Sequence, residues 1–177
     1  MARIPYLDLA AAAPEFAEAL KSRPPLNIYR MIAHGGATAT GFLALGSAIL
    51  SKSTLDPKLR ELVILRVGAL SDAKYEMFQH RRVAARAGVP AAKIEAVLAN
   101  PGAEPVSAVF DPFECAVLRY TDAVVREVKA AQALFDAVAA KLTHQQLVEL
   151  MMTIGFYMLV SRLLENLEVD IEDPPVH

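Results

Sequence analysis

The sequence predicts an all-α protein, a helical bundle of seven to nine helices in a single domain spanning residues 1–177. Three observations support this prediction. No window alternates apolar and polar side chains for long enough to be a confident strand. Apolar side chains recur instead every three or four residues, which is the spacing of one helix face. Start and stop signals for helices bound most of these periodic segments.

The first 26 residues are predicted to form an N-terminal arm that carries one short helix. Arg23-Pro24-Pro25 ends this helix, because proline lacks the backbone donor that a helix interior needs. Asn27 is the predicted cap of a second short helix, which Gly35-Gly36 stops. A third helix, small and apolar, is predicted over residues 38–50.

Residues 55–90 are predicted to form the pair of helices around which the chain is organised. Asp56 is placed to cap the first of them, and Pro57 has a backbone angle already suited to the first turn. The first helix is predicted over 57–70 and the second over 73–88, where a glycine and a proline stop it.

Capping signals also define the helices of the second half. Asp111 with Glu114, and Thr143 with Gln146, each have the spacing of a capping box. Asn100-Pro101-Gly102 is predicted to break the chain after one short helix. The predicted helices cover residues 91–98, 111–129, 134–141 and 143–167.

The composition predicts an oligomer and argues against a nucleic-acid partner. Hydrophobic residues make up 54% of the chain, charged residues only 21%, and the mean hydropathy is +0.31. Because so apolar a chain must bury its excess apolar surface in a core or at subunit contacts, we expect a homo-oligomer. The net charge is −2, and the basic cluster Arg81, Arg82 and Arg86 has no interleaved aromatic residues.

Cysteine usage and the chain ends predict a cytoplasmic protein with no membrane association. Cys115 is the only cysteine, so no internal disulfide and no CxxC motif can form, and a structural thiol is expected. Asp8, Pro14 and Glu15 lie where a signal peptide would need apolar residues. The longest uncharged apolar run, Leu150–Val160, is too short to span a bilayer.

Glu76 and His80 carry the strongest chemical signal. They are four residues apart on a predicted helix, inside the stripe that should face the core. A carboxylate beside an imidazole orients the ring and raises its basicity, which suits a general acid or base. The alternative is a satisfied buried pair that only fixes helix packing, but burial of both groups costs several kcal/mol, which favours a functional role.

Glu61 and Arg66 lie on the helix over 57–70, which is apolar almost all round and therefore predicted to be buried. Both are candidate site residues. Glu61 alternatively complements the helix N-terminus or pairs with Arg60 or Lys58 at the surface. Arg66 alternatively neutralises a carboxylate of the core.

Three further residues are candidates for substrate binding. Arg30 offers a fork that matches a substrate carboxylate. Tyr75 is placed to border the same cavity as Glu76, although a core or interface role fits it as well. His34, at the end of its helix, alternatively supplies favourable charge at a helix C-terminus.

A metal site is a rival interpretation of the same polar residues. His80, Glu76 and Glu61, with His34, would supply histidine and carboxylate ligands. The Glu-x-x-x-His spacing lacks the second histidine of a zinc protease helix, so we predict neither a metal nor a cofactor.

The motifs Arg60-Glu61-Leu62, Tyr75-Glu76-Met77-Phe78-Gln79-His80 and Ala87-Gly88-Val89 resemble the carboxymuconolactone decarboxylase and alkylhydroperoxidase-D-like family. In the peroxidase branch of this family, two cysteines follow the glutamate at positions that correspond here to Ala73 and Glu76. Thiol peroxidase activity is therefore not expected, since no thiolate is present to attack a peroxide. The chain also departs from the decarboxylases, with Met77 at the usual tryptophan and a longer N-terminus.

The resemblance implies an alkylhydroperoxidase-D-like fold, a homo-oligomer (dimer, trimer or hexamer) and an enzyme that needs no cofactor. It implies a carboxy-lyase that acts on a small carboxylated lactone or a related metabolite of aromatic degradation. His80 with Glu76 would move the proton, Glu61 would orient water or substrate, and Arg66 or Arg30 would hold a carboxylate. A hydratase or isomerase that uses the same residues, or a non-catalytic helical oligomer, are the alternatives.

Overall fold

The computed structural model describes residues 1–99, 101, 103–105 and 107–173, and every regular element among them is helical. The all-α prediction is confirmed. The break predicted at Asn100 and Gly102 lies outside the described residues. Two short 3-10 helices, Leu9–Ala11 and Ala33–Gly35, accompany the α-helices. The α-helices are α1 (Pro14–Leu20), α2 (Asn27–Ile32), α3 (Ala37–Lys52), α4 (Pro57–Leu70), α5 (Lys74–Arg86), α6 (Ala91–Ala99), α7 (Pro112–Glu127), α8 (Gln132–Ala139) and α9 (His144–Leu167).

The chain groups into two compact units. One contains Met1–Lys52 and Leu163–His177, and the other contains Ser53–Arg162, so that α9 contributes residues to each. The expectation of a single domain over 1–177 stays a prediction.

The first unit has its own apolar core and ties the two ends of the chain together. Buried side chains of α1, α2 and α3, among them Phe16 and Leu43, form this core. The Tyr6 hydroxyl donates to the Asp170 carboxylate at 3.1 Å. This polar contact holds the N-terminal arm to the segment that follows α9.

The prediction that Asn27 caps α2 is wrong. Asn27 is the first helical residue, and Leu26 takes the cap position without a side-chain hydrogen bond. The backbone N–H of Asn27 donates instead to the Glu172 carboxylate at 2.6 Å, and its amide Nδ2 donates to the Asp170 carbonyl at 3.0 Å. A distant carboxylate thus satisfies the helix start, which local sequence cannot reveal.

In the second unit, α4 is the central helix. Its residues from Leu59 to Ala69 are all buried, and α5, α6 and α7 pack around it. The predicted cap is confirmed, because Asp56 Oδ1 accepts from the backbone N–H groups of Lys58 and Leu59 at 3.0 Å each. Because α4 is enclosed, any polar side chain on it must find a partner inside the protein.

Both predicted capping boxes are present. At α7, Asp111 accepts from the Glu114 N–H at 2.8 Å while Glu114 accepts from the Asp111 N–H at 2.9 Å. At α9, Thr143 and Gln146 exchange the corresponding bonds at 3.0 and 3.2 Å. These reciprocal bonds fix where the two helices begin.

The segment that precedes α4 is held by a carboxylate from α9. Glu149 Oε2 accepts from the Ser53 hydroxyl at 2.9 Å and from the backbone N–H groups of Thr54 at 2.8 Å and Leu55 at 3.2 Å. Partial burial alone would raise the pKa of Glu149, but hydrogen bonds from Gln145, Thr54 and Ser53 lower it to about 2. The Glu149 carboxylate is therefore charged at all physiological pH values.

By length and composition, α9 alone among the described helices is apolar enough to cross a membrane. Half of its most apolar window is buried inside the protein, and core helices of water-soluble proteins pass the same test. This is weak evidence, and the expectation of no membrane association stays a prediction.

Candidate functional site

Glu61, Glu76 and His80, singled out from the sequence, form one buried hydrogen-bonded chain in the second unit. His80 Nδ1 lies 2.7 Å from Glu61 Oε2, and His80 Nε2 lies 3.1 Å from Glu76 Oε1. Glu61 is fully buried, and the other two residues are at most 7% exposed. The imidazole therefore sits between two carboxylates, one on each ring nitrogen.

Two neighbouring helices bring these three side chains together. Glu76 and His80 are one turn apart on α5, while Glu61 reaches the ring from α4. Gly68 of α4 faces α5 here, and a Cβ at this position would lie 3.4 Å from Met77 Cγ and 3.8 Å from Glu76 Cβ. A methyl group would thus fit against α5 here, whereas a larger side chain would press on the helix that carries Glu76 and His80.

Two residues that the sequence analysis did not assign to the site also contact it. Arg60, expected at the surface if it paired with Glu61, is buried, and its Nε lies 3.4 Å from Glu61 Oε1. Tyr157 of α9 packs its ring edgewise on His80, with the ring centroids 4.9 Å apart. The position of Arg60 beside Glu61 on a buried helix was a usable signal, whereas nothing local marks Tyr157.

His80 is protonated at neutral pH. Burial alone would lower its pKa, but the charge of Glu76 and the hydrogen bonds to Glu61 and Glu76 outweigh it and raise the pKa from 6.5 to about 10. An imidazolium donates from both nitrogens, which matches an acceptor on each side. The ring is accordingly a proton donor at pH 7, and it becomes an acceptor only after one proton has left.

The geometry does not favour metal binding. The two carboxylates contact opposite ring nitrogens, so they do not converge on one point, and an imidazolium has no lone pair for a metal. Within the described part of the chain, no group of three or more His, Cys, Asp or Glu side chains is arranged to hold a metal ion. His34, proposed as a further ligand, belongs to the other unit.

Arg66 makes a separate ion pair. Its Nε and Nη2 donate to the two carboxylate oxygens of Asp122 at 2.6 Å each, and Nη2 also donates to the Ala103 carbonyl at 2.7 Å. The Arg66 side chain is only 3% exposed, and the side chain of Asp122 is 15% exposed. This arrangement corresponds to the alternative in which Arg66 neutralises a carboxylate of the core.

Of the three remaining candidates, one precedes Glu76 in the chain and two belong to the first unit. Tyr75 is buried next to Glu76 in the chain. Arg30 belongs to the first unit, where its guanidinium lies over the Tyr6 ring at 4.9 Å. His34 is in the same unit, and its Nε2 lies 2.8 Å from the Pro5 carbonyl.

Cys115 has the environment of a structural thiol. It is buried in the apolar core of the second unit, and burial raises the pKa of its thiol. Its Sγ lies 3.8 Å from the carbonyls of Pro105 and Phe110. A thiol of raised pKa in such surroundings is a poor nucleophile.

Residues 36–108 match the Carboxymuconolactone decarboxylase family. This region of the chain is similar to that family. Glu61, Glu76 and His80 all lie within it, and the resemblance inferred from the motifs is confirmed. No curated protein sequence matches the chain.

Solved structures support an AhpD-like fold. An AhpD core protein of Ralstonia eutropha JMP134, described as an uncharacterized peroxidase-related protein, is similar with a TM-score of 0.83, covering 98% of this chain and 93% of that one at 18% identity. An uncharacterized peroxidase-related protein from Silicibacter sp. TM1040 follows at 0.76, with 96% and 93% covered at 16% identity. A variant of the debrominase Bmp8, in complex with 2,3,4-tribromopyrrole, scores 0.75, with 97% and 94% covered at 18% identity. At such identities the likeness concerns the fold alone.

Proposed function

We propose that this protein is a cofactor-independent acid–base enzyme that decarboxylates a small carboxylated lactone or a related unsaturated acid. The observation that carries the proposal is the buried imidazole ring of His80, which has the carboxylate of Glu61 at one ring nitrogen and that of Glu76 at the other. Burying three charges costs several kcal/mol per ion before their attraction is counted. A cluster whose central group can release a proton is useful in catalysis. Such a use would explain why these charges are buried despite the free-energy cost.

The reaction would use His80 as the general acid. When the bond between the carboxylate and its carbon breaks, CO₂ leaves and the electron pair delocalises into the neighbouring carbonyl. The carbanion is then protonated, and His80 Nε2 supplies that proton, because its bond to Glu76 is longer than the Nδ1 bond to Glu61. His80 is left neutral and regains a proton from solvent. Proton transfer of this kind typically contributes ~10²–10⁴-fold to the rate.

We assign the two glutamates roles that differ from those first expected. Glu61 is the residue that orients the ring, since it is fully buried and holds Nδ1 at 2.7 Å. Glu76 lies against His80 Nε2, the ring nitrogen that the substrate would have to contact. It would therefore position the substrate or pass the replacement proton to the ring. Arg60 is the cation beside the cluster, and we assign it the substrate carboxylate in place of Arg66, which Asp122 already binds.

The test is product formation from a panel of carboxylated lactones. Release of CO₂ would identify a decarboxylase, while a product that keeps every carbon would identify the hydratase or isomerase alternative. His80→Ala and Glu76→Gln should each lower turnover at least ~10-fold. His144→Ala, which removes an exposed histidine at the start of α9, is the matched control and should leave the rate unchanged.

One observation favours a non-catalytic role as the second candidate. Both ring nitrogens of His80 are already engaged by carboxylates of the same chain, as in a cluster that only fixes α4 against α5. In that case His80→Ala would destabilise the fold, and no lactone would be converted by the wild-type protein. Circular dichroism of each variant separates lost folding from lost chemistry.

A further inference from the structure

The imidazole of His80 packs against an aromatic ring in addition to its two carboxylates. The ring centroid of Tyr157 of α9 lies 4.9 Å from that of His80, and the two ring planes are nearly perpendicular, at 84°. Perpendicular packing is one of the arrangements that aromatic pairs prefer. Tyr157 is only 3% exposed, so this contact belongs to the protein interior. Side chains of three helices, α4, α5 and α9, therefore contact the imidazole.

Tyr157 is itself held in place. Phe156, its neighbour in the chain, is buried and packs edgewise against it, with the ring centroids 5.5 Å apart. About two turns earlier on the same helix, the Glu149 carboxylate accepts from the backbone N–H groups of Thr54 and Leu55, just before α4. The Tyr157 ring is thus backed by a second ring and carried by a helix that is tied to the segment before α4.

The orientation of an imidazole is weakly determined by its own geometry. The torsion about the Cβ–Cγ bond of a histidine has broad minima, so the neighbours of the ring must select its angle. In the imidazolium of His80, Nδ1 donates to Glu61 and Nε2 donates to Glu76, and these two hydrogen bonds fix the ring. A neutral ring has one N–H only, and an unprotonated Nε2 has no hydrogen to donate to Glu76. The single remaining bond to Glu61 does not fix the ring plane.

We propose that Tyr157 is a positioning residue for His80, whose ring keeps the imidazole in one orientation after Nε2 has released its proton. This inference rests on the proposed function, in which Nε2 protonates the carbanion of the substrate. Without the Tyr157 ring, the neutral imidazole would turn about its Cβ–Cγ bond and carry Nε2 away from the place where the next proton must be delivered. No covalent bond to Tyr157 forms or breaks, since the residue acts through His80.

The charged groups near the ring have a different role. Among the described residues, these are Glu61 of α4 and Glu76 of α5, with Arg60 on the far side of Glu61. The carboxylates determine the protonation of His80, whereas the contact from α9 is a ring that restricts its rotation. A variant that removes the ring and leaves both carboxylates in place therefore tests the positioning role by itself.

The first experiment follows the two N–H protons of the His80 imidazolium by NMR at neutral pH, in the isotope-labelled full-length protein. Such a proton exchanges with water when the ring leaves its acceptor, so the exchange rate reports the rotation of the ring. Tyr157→Leu removes the aromatic ring and should make this exchange at least ~10-fold faster. Tyr157→Phe keeps the ring and should exchange within about 2-fold of the wild-type rate.

Tyr120→Leu is the matched control. Tyr120 of α7 is also a buried tyrosine, at 6% exposed, but its ring packs on Phe135, with 6.5 Å between the centroids. Its replacement removes a ring of the same size and should leave the exchange at His80 within about 2-fold of the wild-type rate. Circular dichroism checks the folding of each variant. Tyr157→Met, which fills more of the space, takes the place of Tyr157→Leu if the leucine variant does not fold.

The second experiment uses a lactone that the wild-type protein decarboxylates. Tyr157→Leu should lower kcat at least ~10-fold and leave KM within about 2-fold, because a misplaced proton donor weakens the transition state and not substrate binding. Tyr157→Phe should restore kcat to within about 2-fold of the wild-type value.

Several results would overturn the role of Tyr157. These are an exchange rate or a kcat that Tyr157→Leu leaves unchanged, a Tyr157→Phe variant that behaves like Tyr157→Leu, and an equal effect of Tyr120→Leu. The exchange measurement needs no substrate. A protein that converts no lactone would therefore refute the proposed function, while the exchange rates would still decide whether Tyr157 orients His80.

Discussion

Two buried charge clusters begin on the same helix and differ in kind. Arg66 of α4 meets Asp122 through two hydrogen bonds of 2.6 Å and a carbonyl at 2.7 Å. Five residues earlier, Glu61 meets His80, which also contacts Glu76. Both clusters are enclosed by the same unit.

The difference lies in the group at the centre. An arginine stays protonated at every pH at which the protein folds, so the Arg66 pair can only stabilise or destabilise the structure. A histidine gains and loses its proton, and its carboxylate neighbours determine when. Of the two clusters, the one centred on a group that gains and loses a proton is therefore the better candidate for a role in proton transfer.

The largest effect is expected when the Arg66 pair is broken. Asp122→Ala leaves a permanent cation in the interior without the carboxylate that neutralises it, and should lower the free energy of unfolding by about 3–5 kcal/mol. Urea denaturation measures this loss of stability. The control is Glu104→Ala, which breaks the exposed pair with Arg119 and should lower the free energy of unfolding by less than ~1 kcal/mol. Equal losses in both variants would remove the distinction between buried and exposed pairs.

A smaller loss is expected from Glu76→Ala. His80 can respond by releasing its proton, an escape that Arg66 lacks, so the free energy of unfolding should fall by about 2–3 kcal/mol. NMR titration of the imidazole should show its pKa well below that in the wild-type protein. A loss as large as that of Asp122→Ala, with the pKa unchanged, would contradict the comparison.

The pH dependence of stability should identify His80 directly. Its pKa is about 10 in the folded protein, against 6.5 for an ordinary histidine that represents the unfolded chain. A raised pKa contributes stability that is complete below about pH 6.5 and is lost as pH rises through 10. Urea denaturation near those two pH values should show this loss in the wild type and a smaller one in His80→Gln, which retains the other groups that titrate in the range.

The smallest effect is expected at the contact between the helices that carry the cluster. In Gly68→Ala the new methyl group lies 3.4 Å from Met77 Cγ, so a slight shift should suffice, and the helix gains up to ~1 kcal/mol from alanine. Stability should stay within about 1 kcal/mol of the wild type. Gly68→Leu, by contrast, should push Glu76 from His80 and lower the histidine pKa in the same NMR titration.

The sequence predicted what depends on neighbours along the chain. The start of α4 follows from Asp56 and Pro57, and Glu76 and His80 share a face because they are one turn apart. The burial of Glu61 follows from an apolar helix. Partners distant in sequence were not predictable, because tertiary packing selects them. Asp122 lies 56 residues after Arg66. Glu172, whose carboxylate accepts from the backbone N–H of Asn27 at the start of α2, lies 145 residues after it.

The hydrogen bonds to Glu149 bear on how the chain folds during synthesis. Glu61 and His80 are 19 residues apart, whereas Thr54 and Glu149 are separated by 95. Closing the shorter loop costs less entropy, and its residues leave the ribosome first. We expect α4 and α5 to pair before α9 exists, and the segment before α4 to be fixed last. Pulse labelling during refolding would then show the Thr54 amide gaining protection from exchange after those of α4, and the reverse order would refute this sequence of events.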